Sequence, residues 1–177
     1  VFITGASVGS GFSLVDYMTI KLNSAGTVQW TSRYNFANGI DLPTGIVLDN
    51  SGNPIVSGSS ASSMASNNWD FATVKYNAVT GSTMAVQRQA NAGTAQDKAT
   101  AEVRDGAGNI YVTGGTSATG TNYDIQTIKY DPNLNVQWVK TFDGHGMDDF
   151  GNTIALDNSG NVIVGGYSDK PGSQKEM

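Results

Sequence analysis

The phrase Asp-x-x-Gly-Asn, followed by a short β-branched run and a glycine, occurs three times: Asp49-Asn-Ser-Gly-Asn53, Asp105-Gly-Ala-Gly-Asn109 and Asp157-Asn-Ser-Gly-Asn161. Successive copies of the final asparagine are 56 and 52 residues apart, a period that belongs to propellers and solenoids. Units of this size bury too little surface to be stable alone, so neighbouring units must cover one another. The composition agrees. Charged residues make up 14% of the chain, and 22 of its 177 residues are glycine. With abundant Ser, Thr and Asn, that mix disfavours long helices and suits short strands joined by tight turns.

Each unit reads as four strands. Strand a (44–49, 100–105 and 152–157) runs into the Asp-x-x-Gly-Asn turn. There the aspartate can accept from backbone N–H groups ahead of it, and Gly52, Gly108 or Gly160 supplies a positive φ. Strand b follows antiparallel as Val1-Phe-Ile-Thr-Gly5, Pro54-Ile-Val-Ser-Gly58, Ile110-Tyr-Val-Thr-Gly114 and Val162-Ile-Val-Gly-Gly166. Strand c is 16–22, 69–76 and 123–130, in strict register, with Lys21, Lys75 and Lys129 each 54 residues apart. Both faces of strand c are partly apolar, with Met18, Ile20 and Leu22 on one and Tyr17, Thr19 and Lys21 on the other, as in a sheet packed between two neighbours. Strand d begins Val28-Gln-Trp30 and Val136-Gln-Trp138, while its middle copy has Met84-Ala85 there.

Four antiparallel strands per repeat of this length are the blade signature of a β-propeller. The pattern D-[YFI]-x-T-[IV]-K-[LY]-[ND], then Gln-Trp, then D-x-x-G-N-x-[YIF]-[VI]-[TS]-G, resembles the bacterial seven-bladed β-propeller repeat known as SBBP, from Val1 to about Ser168. The resemblance implies an all-β propeller of four-stranded blades with strand a lining a central channel. It also implies a bacterial secreted or cell-surface location. On that assignment the chain is an incomplete array: a partial blade of strands b, c and d (1–34), two full blades (44–91 and 99–142), a partial blade of strands a and b (152–168) and a polar tail (169–177). The chain is thus expected to be a fragment. The remaining blades are expected from further sequence or from another copy of the chain.

The net charge of −5 and pI near 4.6 argue against a nucleic-acid partner, since such binders display a basic face. No apolar run approaches the roughly 20 residues of a membrane-spanning helix. Cysteine is absent, which excludes disulfides and thiolate chemistry. No cofactor motif is present, and no catalytic residue is assigned. The Asp-x-x-Gly-Asn loops lack the further acidic ligands of an EF-hand-like site, so they read as turns and no metal site is expected. Asp16, Asp70 and Asp124 recur five residues before the strand c lysines. Because they recur, they suggest a structural ion pair or a bond network between blades, and Tyr17, Phe71, Trp30 and Trp138 suggest packing between blades. His145 lies in a glycine-rich loop without ligand partners in the sequence.

Departures from the repeat are more informative. Where other units have Ile46 and Leu48, or Ile154 and Leu156, the 99–142 unit has Glu102 and Arg104, on one face of strand a. They are the candidate ligand-binding residues, and if buried they must pair with each other or with neighbours. The function expected is that of a non-enzymatic structural or binding module, contacting protein or carbohydrate through its channel mouth and its variable loops at 59–68 and 117–123. The alternative is a polysaccharide hydrolase or lyase using the channel mouth.

Overall fold

In a computed structural model, which describes residues 1–9, 15–63, 68–89, 96–117, 121–170 and 172, the chain is all-β. The strands are β1 (Phe2–Ser7), β2 (Asp16–Leu22), β3 (Val28–Tyr34), β4 (Asp41–Leu48), β5 (Pro54–Ala61), β6 (Trp69–Tyr76), β7 (Thr83–Gln89), β8 (Gln96–Arg104), β9 (Ile110–Ser117), β10 (Asp124–Tyr130), β11 (Val136–Phe142), β12 (Asp149–Leu156) and β13 (Val162–Ser168). They pair antiparallel in chain order within four groups: β1 to β3, β4 to β7, β8 to β11, and β12 with β13. A single parallel bridge, Trp69 to Gln96, joins the second group to the third, and an equivalent bridge, Val15 to Ile40, joins the first to the second.

The turns follow the mechanism read from the sequence. Asp49 Oδ1 accepts from the N–H groups of Ser51 and Asn53, both at 2.8 Å, while Asn53 Nδ2 donates to Oδ2. Asp157 does the same with Ser159 and Asn161. The hairpin between β10 and β11 copies this turn as Asp131-Pro-Asn-Leu-Asn135, with Leu134 held at φ 67° where the other copies use glycine.

The first strand of each unit is longer than the sequence pattern indicates, beginning at Asp41, Gln96 and Asp149 rather than at 44, 100 and 152. A β-bulge explains the difference. The ladder skips Thr44, Thr100 and Asn152, so the side-chain alternation reverses there. Thr44 Oγ1 and Thr100 Oγ1 donate back to the carbonyls of Ser57 and Thr113 at 3.2 and 3.1 Å. The bulge also accounts for the glycine at the same place in the following strand. A Cβ on Gly58, Gly114 or Gly166 would lie 2.2, 1.9 or 1.8 Å from the carbonyl oxygen of Leu42, Lys98 or Phe150.

Neighbouring groups pack face to face. Ile55 and Phe71 meet Ile110, Val112, Ile128, Tyr130 and Leu134 on one side of the β4–β7 sheet. On its other side Val56, Ala72, Val74 and Tyr76 meet Tyr17, Trp30 and Tyr34. Each fully buried apolar side chain of this kind stabilises by about 1.5–3 kcal/mol. The packing repeats with a fixed offset. Lys21 Nζ donates to the Ala78 carbonyl at 2.6 Å and Lys75 Nζ to the Pro132 carbonyl at 2.9 Å, in each case 57 residues further on. The strand c aspartate and lysine therefore do not pair with each other. Five residues apart, they sit at opposite ends of the strand, and the aspartates take arginine partners from the fourth strand: Asp16 with Arg33 at 2.8 Å and Asp70 with Arg88 at 2.5 Å.

Candidate functional site

Ahead of the bulge, strands β4, β8 and β12 place Leu42, Lys98 and Phe150 at one repeat position, spaced 56 and 52 residues like the turns. All three line one cavity of about 340 Å³, together with Thr44, Ser59, Trp69 and Thr100. The walls are mostly apolar, and Lys98 is the one charged residue among the described lining. Its Nζ lies 4.8 Å from the centre of the Tyr123 ring, a cation–π distance. Tyr123 packs on Phe150 at 4.9 Å between ring centres and donates from its hydroxyl to Gln96 Oε1 at 2.7 Å. Phe150 in turn stacks on Tyr167. Three separate units thus contribute one variable side chain each to a shared pocket on a fixed backbone.

Glu102 and Arg104 lie elsewhere and are not brought together. They share a face of β8, but that face meets the β4–β5 hairpin, and no ion pair joins them. Glu102 Oε2 accepts from Ser57 Oγ at 2.6 Å, and the Thr73 hydroxyl is 3.2 Å from the same Ser57 oxygen. The other carboxyl oxygen, Oε1, is sealed from solvent without a hydrogen-bond partner. Its space is provided by Gly45, where a Cβ would come within 2.8 Å of it. Burial pushes the Glu102 carboxyl up to about 7, against the opposing effect of the Ser57 hydrogen bonds. Arg104 donates to Asn50 Oδ1 in the preceding turn. Both side chains therefore act between repeats, and neither lines the cavity.

A second polar arrangement runs along the ends of the strands. Arg88 donates to Asp70, to the Ser60 hydroxyl and carbonyl and to Tyr34 Oη, and lies 3.7 Å over the Phe36 ring. Asp41 accepts from Ser60 Oγ and from the Phe36 N–H, and burial raises its carboxyl despite these bonds. In the third unit the arginine position, cross-strand from Gln126, is occupied by Thr141. Among the described residues one group of three possible metal-ligating side chains occurs, Asp124, Asp143 and Asp149, with carboxylate oxygens within 4.8 Å of one another. The Asp124 carboxyl is raised by burial and then by the charges of Asp143 and Asp149. His145 is exposed in the adjoining turn and is not part of the group.

The aromatic residues singled out from the sequence pack between strands and sheets: Tyr17 and Phe71 are fully buried, and Trp30 and Trp138 contact Tyr76 and Tyr111. Parts of the variable loops, 64–67 and 118–120, and most of the polar tail, 171 and 173–177, lie outside the described residues. No protein-family model and no curated protein matches the chain. Trp69, at the start of β6, was read only as part of a strand, and the cavity residues Leu42, Lys98 and Phe150 escaped the sequence reading because the bulge hides the start of theirs. The usable signal was the aspartate just before them, Asp41, Asp97 and Asp149, at the repeat spacing.

Proposed function

We propose that the chain is a non-catalytic binding module, part of a β-propeller whose four-stranded blades are the β4–β7 and β8–β11 groups. The constant 57-residue offset of the lysine-to-carbonyl bonds supports a repeated rotation about one axis. The exposed outer faces of the two end groups, which carry Ile3, Ile163 and Tyr167, are the surfaces on which further blades would stack, from the same protein or from a second copy. A ring has typically four to eight blades. A secreted or cell-surface location fits the repeat pattern and is part of this proposal.

The observation that carries the binding role is the shared cavity, where the repeat position varies as Leu42, Lys98 and Phe150 while the backbone around it is constant. Variable side chains on a rigid frame are how repeat proteins make specific sites. Trp69 and Phe150 offer faces for the C–H surface of a sugar ring, and Lys98 offers a donor, so carbohydrate is the preferred ligand and a protein side chain the competing one. Catalysis is disfavoured. Glycoside hydrolysis ordinarily needs two carboxyl groups flanking the bond, the described lining has none, and Glu102 is sealed between repeats. A panel of neutral and acidic oligosaccharides and of peptides, screened by thermal shift on the parent, W69A and F150A, tests the reading. Saccharide-dependent stabilisation lost in both variants supports it, and turnover of a saccharide, or a shift unaffected by both substitutions, overturns it.

A further inference from the structure

The cavity shared by β4, β8 and β12 offers donors without matching acceptors. Its described lining holds no carboxylate and no side-chain amide. The Thr44 and Thr100 hydroxyls donate to the carbonyls of Ser57 and Thr113, and Ser59 Oγ accepts from the Ala99 N–H at 3.0 Å. Two polar groups of the lining are left without a hydrogen-bond partner among the described residues, the Lys98 ammonium and the Trp69 indole N–H. Both are donors only. A neutral sugar hydroxyl donates as well as accepts, whereas a carboxylate only accepts, so the free groups match an acid.

Lys98 is exposed, yet its head group is held in place. It stands opposite Gly115 in the β8–β9 ladder, and the bare face of that glycine admits the Phe150 ring, since a Cβ there would come within 2.6 Å of it. Phe150 packs on Tyr123, the Tyr123 hydroxyl is fixed on Gln96, and Lys98 Nζ lies 4.8 Å from the centre of the Tyr123 ring. A cation–π contact of this kind orients the ammonium but supplies no counter-charge. No carboxylate does so either: the three ion pairs among the described residues use Arg33, Lys75 and Arg88. The neighbouring Asp97 is buried on the other face of the strand, where it accepts from Thr116 Oγ1 at 2.5 Å. The equivalent repeat positions carry Leu42 and Phe150, so the cation belongs to this site and not to the repeat.

We infer that the cavity takes an acidic sugar residue of the hexuronate class, with its carboxylate on Lys98 Nζ and its ring against Trp69 and Phe150, an inference that rests on the binding role proposed above for this cavity. The volume of about 340 Å³ is at the small end of the range of about 300–1,000 Å³ for ligand sites and suits a single ring. Apolar walls beside the ammonium strengthen its pairing with an anion relative to a pair on an open surface. A charge-assisted hydrogen bond of this type is worth a factor of about 10–100 in affinity. A glutamate side chain carries the same carboxylate but offers no ring to the aromatic walls, which places an acidic peptide second.

The test is calorimetric titration of the full chain with glucuronate- and galacturonate-terminated oligosaccharides, each beside its carboxyl-methyl ester, on the parent, K98L, K98R and W69A. Leucine already stands at the equivalent position 42, so K98L is expected to fold, with an unliganded melting temperature within about 2 °C of the parent. The parent is expected to bind at least one of the acids about 10–100-fold more tightly than its ester, a preference that narrows as sodium chloride rises from about 50 to about 500 mM. K98L is expected to bind acid and ester alike, K98R to keep the preference, and W69A to bind neither. Equal binding of acid and ester by the parent, or a preference that survives in K98L, overturns the acidic assignment and leaves the saccharide reading standing. Absence of binding of either form by the parent, or binding of a glutamate-rich peptide alone, overturns both.

Discussion

Replacing Glu102 with glutamine should change how the stability of this chain depends on pH. The carboxyl has an ordinary value of 4.5 and is raised to about 7 by burial between β8 and the preceding repeat. The folded state therefore holds a proton more tightly than the unfolded state does. Below pH about 4.5 both states are protonated and this stabilisation is fully present. As pH climbs from there through about 7 it is lost, and above 7 the loss is constant. At about 1.4 kcal/mol per pH unit over this window the total is about 3 kcal/mol, equivalent to about 6–12 °C in melting temperature for a chain of this size. Glutamine keeps the shape and still accepts the Ser57 hydrogen bond, but it cannot ionise. Thermal or urea unfolding of parent and E102Q from pH 4 to 8.5 should give curves that agree at pH 4 and separate by about 3 kcal/mol at pH 8, with the variant more stable. Taking the difference between the two proteins removes the contribution of the other raised carboxyls, Asp41 and Asp124. Curves that stay parallel across the range would refute the reasoning, because they would mean that water reaches Oε1.

Other substitutions test the packing between repeats. Gly114→Ala should destabilise by about 3 kcal/mol, since its Cβ would overlap the Lys98 carbonyl. Gly5→Ala, at the same repeat position with nothing within 4 Å, should change stability by less than about 0.5 kcal/mol in denaturant titrations. Lys75→Met removes the donor to the Pro132 carbonyl and the partner of Asp49 at 2.8 Å. It should lower unfolding free energy by about 2–3 kcal/mol, whereas Lys129→Met, at the half-exposed third copy, should have little effect. Asp49 is held at about 2: burial alone would raise it, but the Lys75 and Asn53 bonds prevail. Its folded value is depressed, so its contribution is present above pH about 4 and is lost as pH falls toward 2, and that acid limb should shrink in Lys75→Met.

Much of the fold was legible in the sequence because the parts that repeat are governed by local chemistry. Asp49, Gly52 and Asn53 define their turn within five residues, and the alternation Val74, Lys75, Tyr76 declares a strand without reference to anything distant. The start of the first strand was not legible. At Thr44, Thr100 and Asn152 the bulge reverses which residues face inward, so period two read backwards from Ile46 carries Leu42 onto the wrong face. The cavity was hidden with it, since Leu42, Lys98 and Phe150 become neighbours only when three units are placed side by side. Glu102 and Arg104 were visible as departures from the repeat, but spacing alone could not reveal that each side chain turns to the preceding repeat and not to the other.

A crystal structure that resolves the strand c lysines tests the central claim most directly, that successive repeats are antiparallel strand groups, joined only by a parallel bridge at one end and stacked with one constant offset. The account predicts Lys21 Nζ on the Ala78 carbonyl and Lys75 Nζ on the Pro132 carbonyl, with β4–β7 and β8–β11 superimposable and packed face to face. Strands of adjacent repeats joined in one continuous ladder, or lysines directed to solvent with the two groups packed differently, would contradict it.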